Sequence, residues 1–270
     1  MGSLELPSHD GFATQVLPFV VRMAKQSELA EVAEFRSASY GKHLPHLAQQ
    51  LMDTEASDYD LGCEVIVVRS KLDNSLLGTM RMHTNAFKAL PLQASIKLGT
   101  QFRQTRMVET TRLCVKGSPN TSLVRTAMFK AQFHYCLQND VDWMLAAGRR
   151  NVDRIYEGLR FSDVGEPGLF YPMAHAGGVP HRVMCLSPLE ALGMWSVDHP
   201  LHIFIMGTQH KDIDLSSATH LNFAWNCPEG GAGPEISDST YSDFSPVSRF
   251  DYLANTATGV NDVSSIPLNG

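Results

Sequence analysis

A chain of 270 residues, 43% hydrophobic and 19% charged, is long enough to bury a sizeable core, and its composition is that of a globular protein rather than a fibrous or disulfide-rich one. The formal net charge of −6 sits at one end: the first 199 residues carry 20 basic and 20 acidic side chains, whereas from Pro200 onward there are two basic and eight acidic ones. Nothing in that distribution is a basic footprint for nucleic acid.

Five cysteines (Cys63, Cys114, Cys136, Cys185, Cys227) are scattered, odd in number and free of any C-x-x-C pair, which argues against a disulfide framework or a zinc knuckle and for a reducing compartment. The N-terminus lacks a basic and then apolar leader, and no apolar run approaches the roughly 20 residues that span a bilayer. A cytoplasmic protein without a transmembrane segment is expected.

In chain order, "VLPFVVRMAK" predicts a first strand and "QSELAEVAEFRSASYG" a helix, with Leu29, Val32, Ala33 and Phe35 at helical spacing after the cap residue Ser27. "CEVIVVRS", the turn "KLDNS" and "LLGTMRMHT" predict an antiparallel hairpin, and "MVETTRLCV" the next strand. From Thr121 to Leu137 the pattern is helical and apolar on most sides, so this helix is expected to be central. "VDWMLAA" predicts a strand, "RRNVDRIYEGL" a short helix and "RVMCLSPL" a late strand. The whole is an α/β chain with a mixed sheet. Three segments follow: an N-terminal extension over 1–17, a catalytic domain over 18–199, and a poorly ordered acidic extension rich in Gly, Ser and Pro over 200–270.

Several motifs lie on these elements in a fixed order: Arg36-x-x-x-Tyr40, Tyr59-Asp60, Gly78-Thr-Met-Arg81, Glu109-Thr-Thr-Arg112, and Tyr156-Glu157 followed by Phe161. Together with the element order they resemble the GCN5-related N-acyltransferase fold, and within it the long-chain N-acyl amino acid synthases and the related acyl-homoserine-lactone autoinducer synthases. The resemblance covers roughly residues 18–195. It departs from the lactone synthases at His46, where they carry tryptophan, at Ser57, where they carry the first of two aspartates, and at Tyr40, where they carry phenylalanine. These departures favour the amino acid synthase branch over recognition of S-adenosylmethionine.

Acyl transfer from a thioester to an amine needs an uncharged amine, donors for the developing oxyanion and a proton for the leaving thiolate. Glu109, directly or through a water, is the candidate base. The fold implies that the strand splays at Leu113, Cys114 and Val115, whose backbone N–H groups would meet the oxyanion. Tyr156 stands where some acetyltransferases keep a tyrosine that protonates the thiolate. A core tyrosine is the plainer reading. Arg36, Arg81, Arg112 and Asp60 are expected to form one buried charge network that holds Glu109 and meets the carboxylate of an amino acid acceptor, with Tyr40 beside it. Glu109 and Arg112 also fit a purely structural ion pair. Cys114 has no His/Asp partner by sequence and is expected to pack rather than to attack.

The loop "VKGSPNTSLVR" has one glycine, and Pro119 removes a donor N–H, so a coenzyme A pyrophosphate would find a poor cradle there. An acyl carrier protein is therefore the expected donor, its acyl-phosphopantetheine thioester acting as co-substrate with no permanently bound cofactor. The pantetheine arm would cap at Thr121 or Ser122. Phe129, Phe133 and Trp143 are firstly core residues and would also floor an acyl tunnel in this family. His43-x-x-His46 and His199-x-x-His202 lack an acidic or cysteine partner nearby, so no metal is expected. Two other classes stay open: a lactone-forming synthase using S-adenosylmethionine, and a silent member that binds acyl chains or a carrier protein as a regulator.

Overall fold

Burial alternates or runs unbroken along each apolar stretch of the chain, and that pattern builds the sheet. The computed structural model describes residues 13–221. A short β1 (Ala13–Thr14) precedes β2 (Phe19–Met23), α1 (Leu29–Gly41) and α2 (Pro45–Gln50). The hairpin β3 (Cys63–Ser70) and β4 (Leu76–Thr84) leads through a long connection to β5 (Met107–Val115), then α3 (Thr121–Gln138), β6 (Trp143–Arg149) and α4 (Asp153–Gly158). The chain continues with β7 (Ser162–Asp163), β8 (Phe170–Met173), β9 (Val179–Leu186), α5 (Pro188–Met194), α6 (Pro200–Ile205), β10 (Thr208–Gln209) and β11 (Ile213–Asp214).

Nine strands form one mixed sheet in the order β11-β2-β3-β4-β5-β6-β9-β7, with β8 also on β9. The pairs from β2 to β5 are antiparallel, and β5 with β6 is parallel. The sheet has helices on both faces. On one, Leu29 and Val32 of α1 bury against Val65, Val67 and Leu76. On the other, α3 closes so tightly on β4 that a Cβ on Gly78 would lie 2.9 Å from Val124 Cγ1, and Gln132 donates to Thr110 Oγ1 at 2.5 Å. Val124, Met128, Phe133 and Cys136 on different sides of α3 are all buried, as its sequence predicted.

Three details differ from the expectation. The first helix starts at Leu29 after a 3-10 turn, Gln26–Glu28, and Ser27 does not cap it. Glu28 turns back instead, accepting from Lys25 N and from Arg22. The boundary drawn at 199 falls inside the structure. Lys130 Nζ on α3 donates to the carbonyls of Phe204 (2.8 Å) and Thr208 (2.5 Å), β10 pairs with β1, and β11 adds an edge strand beside β2, so residues up to 221 are built into the sheet domain. The rest of the acidic extension lies outside the described residues. No helix among the described residues is long and apolar enough to cross a membrane.

Candidate active site

β5 parts from β6 beyond Thr110, whose partner is Ala146, while β6 continues along β9. On its other side β5 slips by one residue against β4 between Thr79 and Arg81, and Arg112 takes up the extra residue with φ 54° in the left-handed region. A bulge of this kind bends its strand and re-aims its side chains. The gap opens into a cavity of about 610 Å³, and Leu113, Cys114 and Val115 are in its wall. Lys116 N–H donates back across β4 to Leu77 O at 2.8 Å. Strand alternation then turns the N–H groups of Leu113 and Val115 into the gap and that of Cys114 toward β4.

The three arginines do meet. Arg36 Nη1 donates to both oxygens of Asp58 (2.8 and 2.9 Å), and Arg81 Nη1 reaches Asp58 Oδ1 (3.1 Å) and Glu55 Oε2 (3.0 Å). Arg112 forks onto Glu55 through Nε (2.9 Å) and Nη2 (2.6 Å), and Nη2 also reaches the His175 carbonyl at 3.1 Å. Their carboxylates are thus Glu55 and Asp58, not Asp60. The 3-10 turn Ala56–Tyr59 points Asp58 inward, one residue after Ser57, and leaves Asp60 outside to pair with Lys88. Burial would raise the Glu55 carboxyl, but the Arg112 hydrogen bond and the charges of Arg81, Arg112 and Arg36 hold it at about 2. Three guanidinia against two carboxylates leave a positive charge over.

Glu109 stands apart from this cluster. It is fully buried, it is not in the cavity wall, and its Oε2 accepts from Leu92 N at 2.9 Å. The network therefore does not hold it, and the Glu109–Arg112 ion pair is not formed, because Arg112 is turned to Glu55 by the bulge. Burial pushes the Glu109 carboxyl up to about 8, against the pull of the Leu92 N–H and of Arg81 and Arg112. Tyr156 and Tyr40 do line the cavity. Burial, then the neighbouring Tyr40 and Glu109, push the Tyr156 phenol up, so it keeps its proton through the neutral range. Tyr40, beside Arg112, is pushed up to about 12 by burial. Burial likewise pushes the Cys114 thiol up to about 12, which suits packing and not attack.

Other expected donor contacts lie elsewhere. The Thr121 hydroxyl is used within its own loop, donating to Ser118 O (2.7 Å) and Lys116 O (3.1 Å), and Ser122 is exposed. Phe129 and Phe133 pack with Phe161 and Trp195, and Trp143 packs edge-on against Phe102. None of Thr121, Ser122, Phe129, Phe133 and Trp143 is in the cavity wall, whose apolar part includes Phe35, Leu44, Leu47, Leu76 and Val152. The sequence reading missed Thr111, His175 and His181, all in that wall. The two imidazoles lie 6.4 Å apart, and burial, then Arg112 and His181, hold His175 at about 4 and hence neutral. His199 accepts from Leu201 N at the start of α6 (3.2 Å), and no group of three His, Cys, Asp or Glu side chains among the described residues is placed to hold a metal ion.

A mixed sheet whose middle strands part over a cleft, with backbone donors on one lip and a protonated phenol on the other, has the architecture expected of a GCN5-related N-acyltransferase, and that is the class of this enzyme. More narrowly, the model of the family N-acyl amino acid synthase FeeM matches residues 7–183, and the chain belongs to that family. It is an acyltransferase of the N-acyl amino acid synthase type. Similar solved structures include FeeM, an N-acyl amino acid synthase from uncultured soil microbes (14% identity, 66% of this chain and 97% of that one, TM-score 0.49). Others are the CoA-dependent acyl-homoserine lactone synthase BjaI with SAM and isopentyl-CoA (12%, 71% and 93%, 0.49) and the lactone synthase LasI (13%, 63% and 90%, 0.46). Among curated proteins, none matches the chain significantly.

Proposed function

We propose that this protein transfers a long-chain acyl group from the phosphopantetheine thioester of an acyl carrier protein to the amine of an amino acid, in the cytoplasm. One observation carries the reading: among the described residues the cavity wall contains Lys42, Arg112, Lys116 and Arg149 but no carboxylate, in a chain whose net charge is −6. Such a cleft attracts anions, which suits the acceptor's carboxylate inside and an acidic carrier outside. Lys42 and Lys116 are exposed at the rim, where a carrier would dock, and the loop from Lys116 to Thr121 offers a pyrophosphate little. The apolar part of the wall favours the chain by about 0.8 kcal/mol for each CH₂ it buries. Free thiols at Cys63, Cys114 and Cys136 accord with a reducing compartment.

In this reading the amine attacks the thioester carbonyl, the N–H groups of Leu113 and Val115 receive the oxyanion, and Tyr156 protonates the departing thiolate. No covalent enzyme adduct forms. The test is mass spectrometry of organic extracts from cells expressing the wild type or Glu109→Gln. It is paired with purified enzyme given dodecanoyl-acyl carrier protein or dodecanoyl-coenzyme A and the twenty amino acids. New N-acyl amino acids from the wild type alone, formed faster from the carrier protein, are expected. A folded wild-type chain that yields none with either donor would end the synthase reading and leave the acyl-binding regulator.

A further inference from the structure

Glu109 is sealed behind the cavity rather than in it, and Thr111 and His83, which stand between the two, are hydrogen-bonded to each other. In the pairing of β4 with β5, His83 stands opposite Glu109 and Arg81 opposite Thr111, so all four side chains share the face that looks toward the cavity. Opposed side chains of this kind have Cβ atoms about 5 Å apart. Thr111 lines the cavity, and His83 is buried, 2% exposed. Arg81 can only donate, so Thr111 Oγ1 accepts from its Nε at 3.2 Å. His83 Nε2 lies 3.1 Å from the same Thr111 Oγ1; when the Thr111 hydrogen is given to that contact, the imidazole accepts at Nε2 and carries its own hydrogen on Nδ1. His83 Nδ1 and Glu109 Oε1 are both buried and have no hydrogen-bond partner among the described residues.

We propose that Thr111, His83 and Glu109 form a proton relay that carries the acceptor's proton out of the cavity to a carboxylate behind it. This rests on the acyl-transfer reading above and assigns the route of its proton. The ammonium N–H bond breaks as the Thr111 oxygen takes that proton. The hydroxyl hydrogen of Thr111 passes to His83 Nε2, and the Nδ1 hydrogen passes, directly or through one water, to the ionised Glu109. The amine and the carboxyl end neutral. His83 changes tautomer without becoming charged, which matters because burial, Arg81, Lys88 and His175 all oppose an imidazolium there, with Glu55 alone favouring it. Burial holds the Glu109 carboxyl at about 8 against the facing Leu92 N–H, Arg81 and Arg112, so the relay runs through the ionised fraction, which grows as pH rises toward 8.

The test uses the full chain with dodecanoyl-acyl carrier protein and the twenty amino acids, comparing wild type, His83→Gln, Thr111→Val and Thr111→Ser. Gln at position 83 keeps an acceptor for Thr111 but cannot shuttle a proton. His83→Gln and Thr111→Val are expected to lose about 10²-fold in kcat, with KM nearly unchanged and the acid limb of the pH profile gone. Thr111→Ser is expected to stay within a few-fold of wild type. Wild-type kcat and an unchanged pH profile in His83→Gln would overturn the relay and leave a structural histidine. ¹⁵N NMR of His83 in the wild type is a second, activity-independent measurement: a neutral ring with hydrogen on Nδ1 from pH 5 to 8 is expected, and hydrogen on Nε2 overturns the relay. Absence of any N-acyl product from folded wild type would instead sink the acyl-transfer reading, with the tautomer still deciding the hydrogen-bond direction.

Discussion

Arg112 and Glu55 lie face to face across 57 residues of sequence, joined by two parallel hydrogen bonds of 2.9 and 2.6 Å. The pair ties the bulge in β5 to the turn before β3, and the same guanidinium reaches the His175 carbonyl in the cavity wall. Fork geometry is what a lysine lacks. Arg112→Lys is therefore expected to lose stability by about 1.5–3 kcal/mol, the worth of a hydrogen bond to a charged group, and to lose turnover at least tenfold as His175 shifts. Thermal unfolding and thiol-release assays check both, and a variant that melts with wild type would show that the fork is dispensable.

Glu109 makes a prediction about stability against pH. Its carboxyl lies at about 8 in the folded chain and near 4.5 ordinarily. Between those values the unfolded chain binds fewer protons than the native one. The stability contributed by the neutral carboxyl is thus complete below about 4.5 and is lost as pH rises toward 8, at about 1.4 kcal/mol per unit of displacement. Glu109→Gln removes this titration. Its melting temperature is expected to gain on wild type from pH 4.5 to 8 and to level off above, while turnover falls. A pH-independent difference would mean that the carboxyl is not held neutral.

Tyr156 and Cys114 both face the cavity with raised pKa values, yet only the phenol is of use at that value, as an acid. Tyr156→Phe is expected to lower kcat by about 10² with an unchanged fold, and Cys114→Ser to stay within a few-fold of wild type. Trapping of an acyl-enzyme by mass spectrometry, absent in Cys114→Ser, would reverse these roles.

Gly148 carries α4 close against β6: a Cβ there would lie 2.9 Å from both Asp153 N and Cα and 3.3 Å from Tyr156 Cδ2. Backbone cannot yield as a side chain can. Gly148→Ala is expected to cost about 1–3 kcal/mol and to displace Tyr156, lowering kcat more than it raises KM. Steady-state kinetics beside a melting curve would detect this.

The strands, the central helix and the three arginines were legible because their signals are local: β-branched runs, helical spacing, and charges in stretches otherwise buried. The partners of those arginines were not. Asp58 and Asp60 flank Tyr59 alike in sequence, and one 3-10 turn decides which of the two carboxylates faces inward. His175 lies in a loop turn whose position depends on β8 and β9, and nothing nearby in sequence marks it. Thr111 and His83 carried a signal that went unused, since alternation places each two residues from a charged residue on the same face. For Phe129 and Phe133 the sequence does not separate the two roles, because an apolar helical stripe is the same whether it lines a tunnel or fills a core.

The extra residue at Arg112 acts on β5 like a shift of reading frame. Before it, the odd-numbered Glu109 and Thr111 share a side with His83 and Arg81; after it, the even-numbered Cys114 stands opposite Thr79 and takes that side. In the proposed reaction one nine-residue strand would thus address the amine in one phase and the thioester in the other. A homologue one residue shorter here would keep every motif and most of its composition while half of its site turned inside out. Counting the residues between Glu109 and Val115 is accordingly a sharper criterion for this chemistry than matching the letters between them.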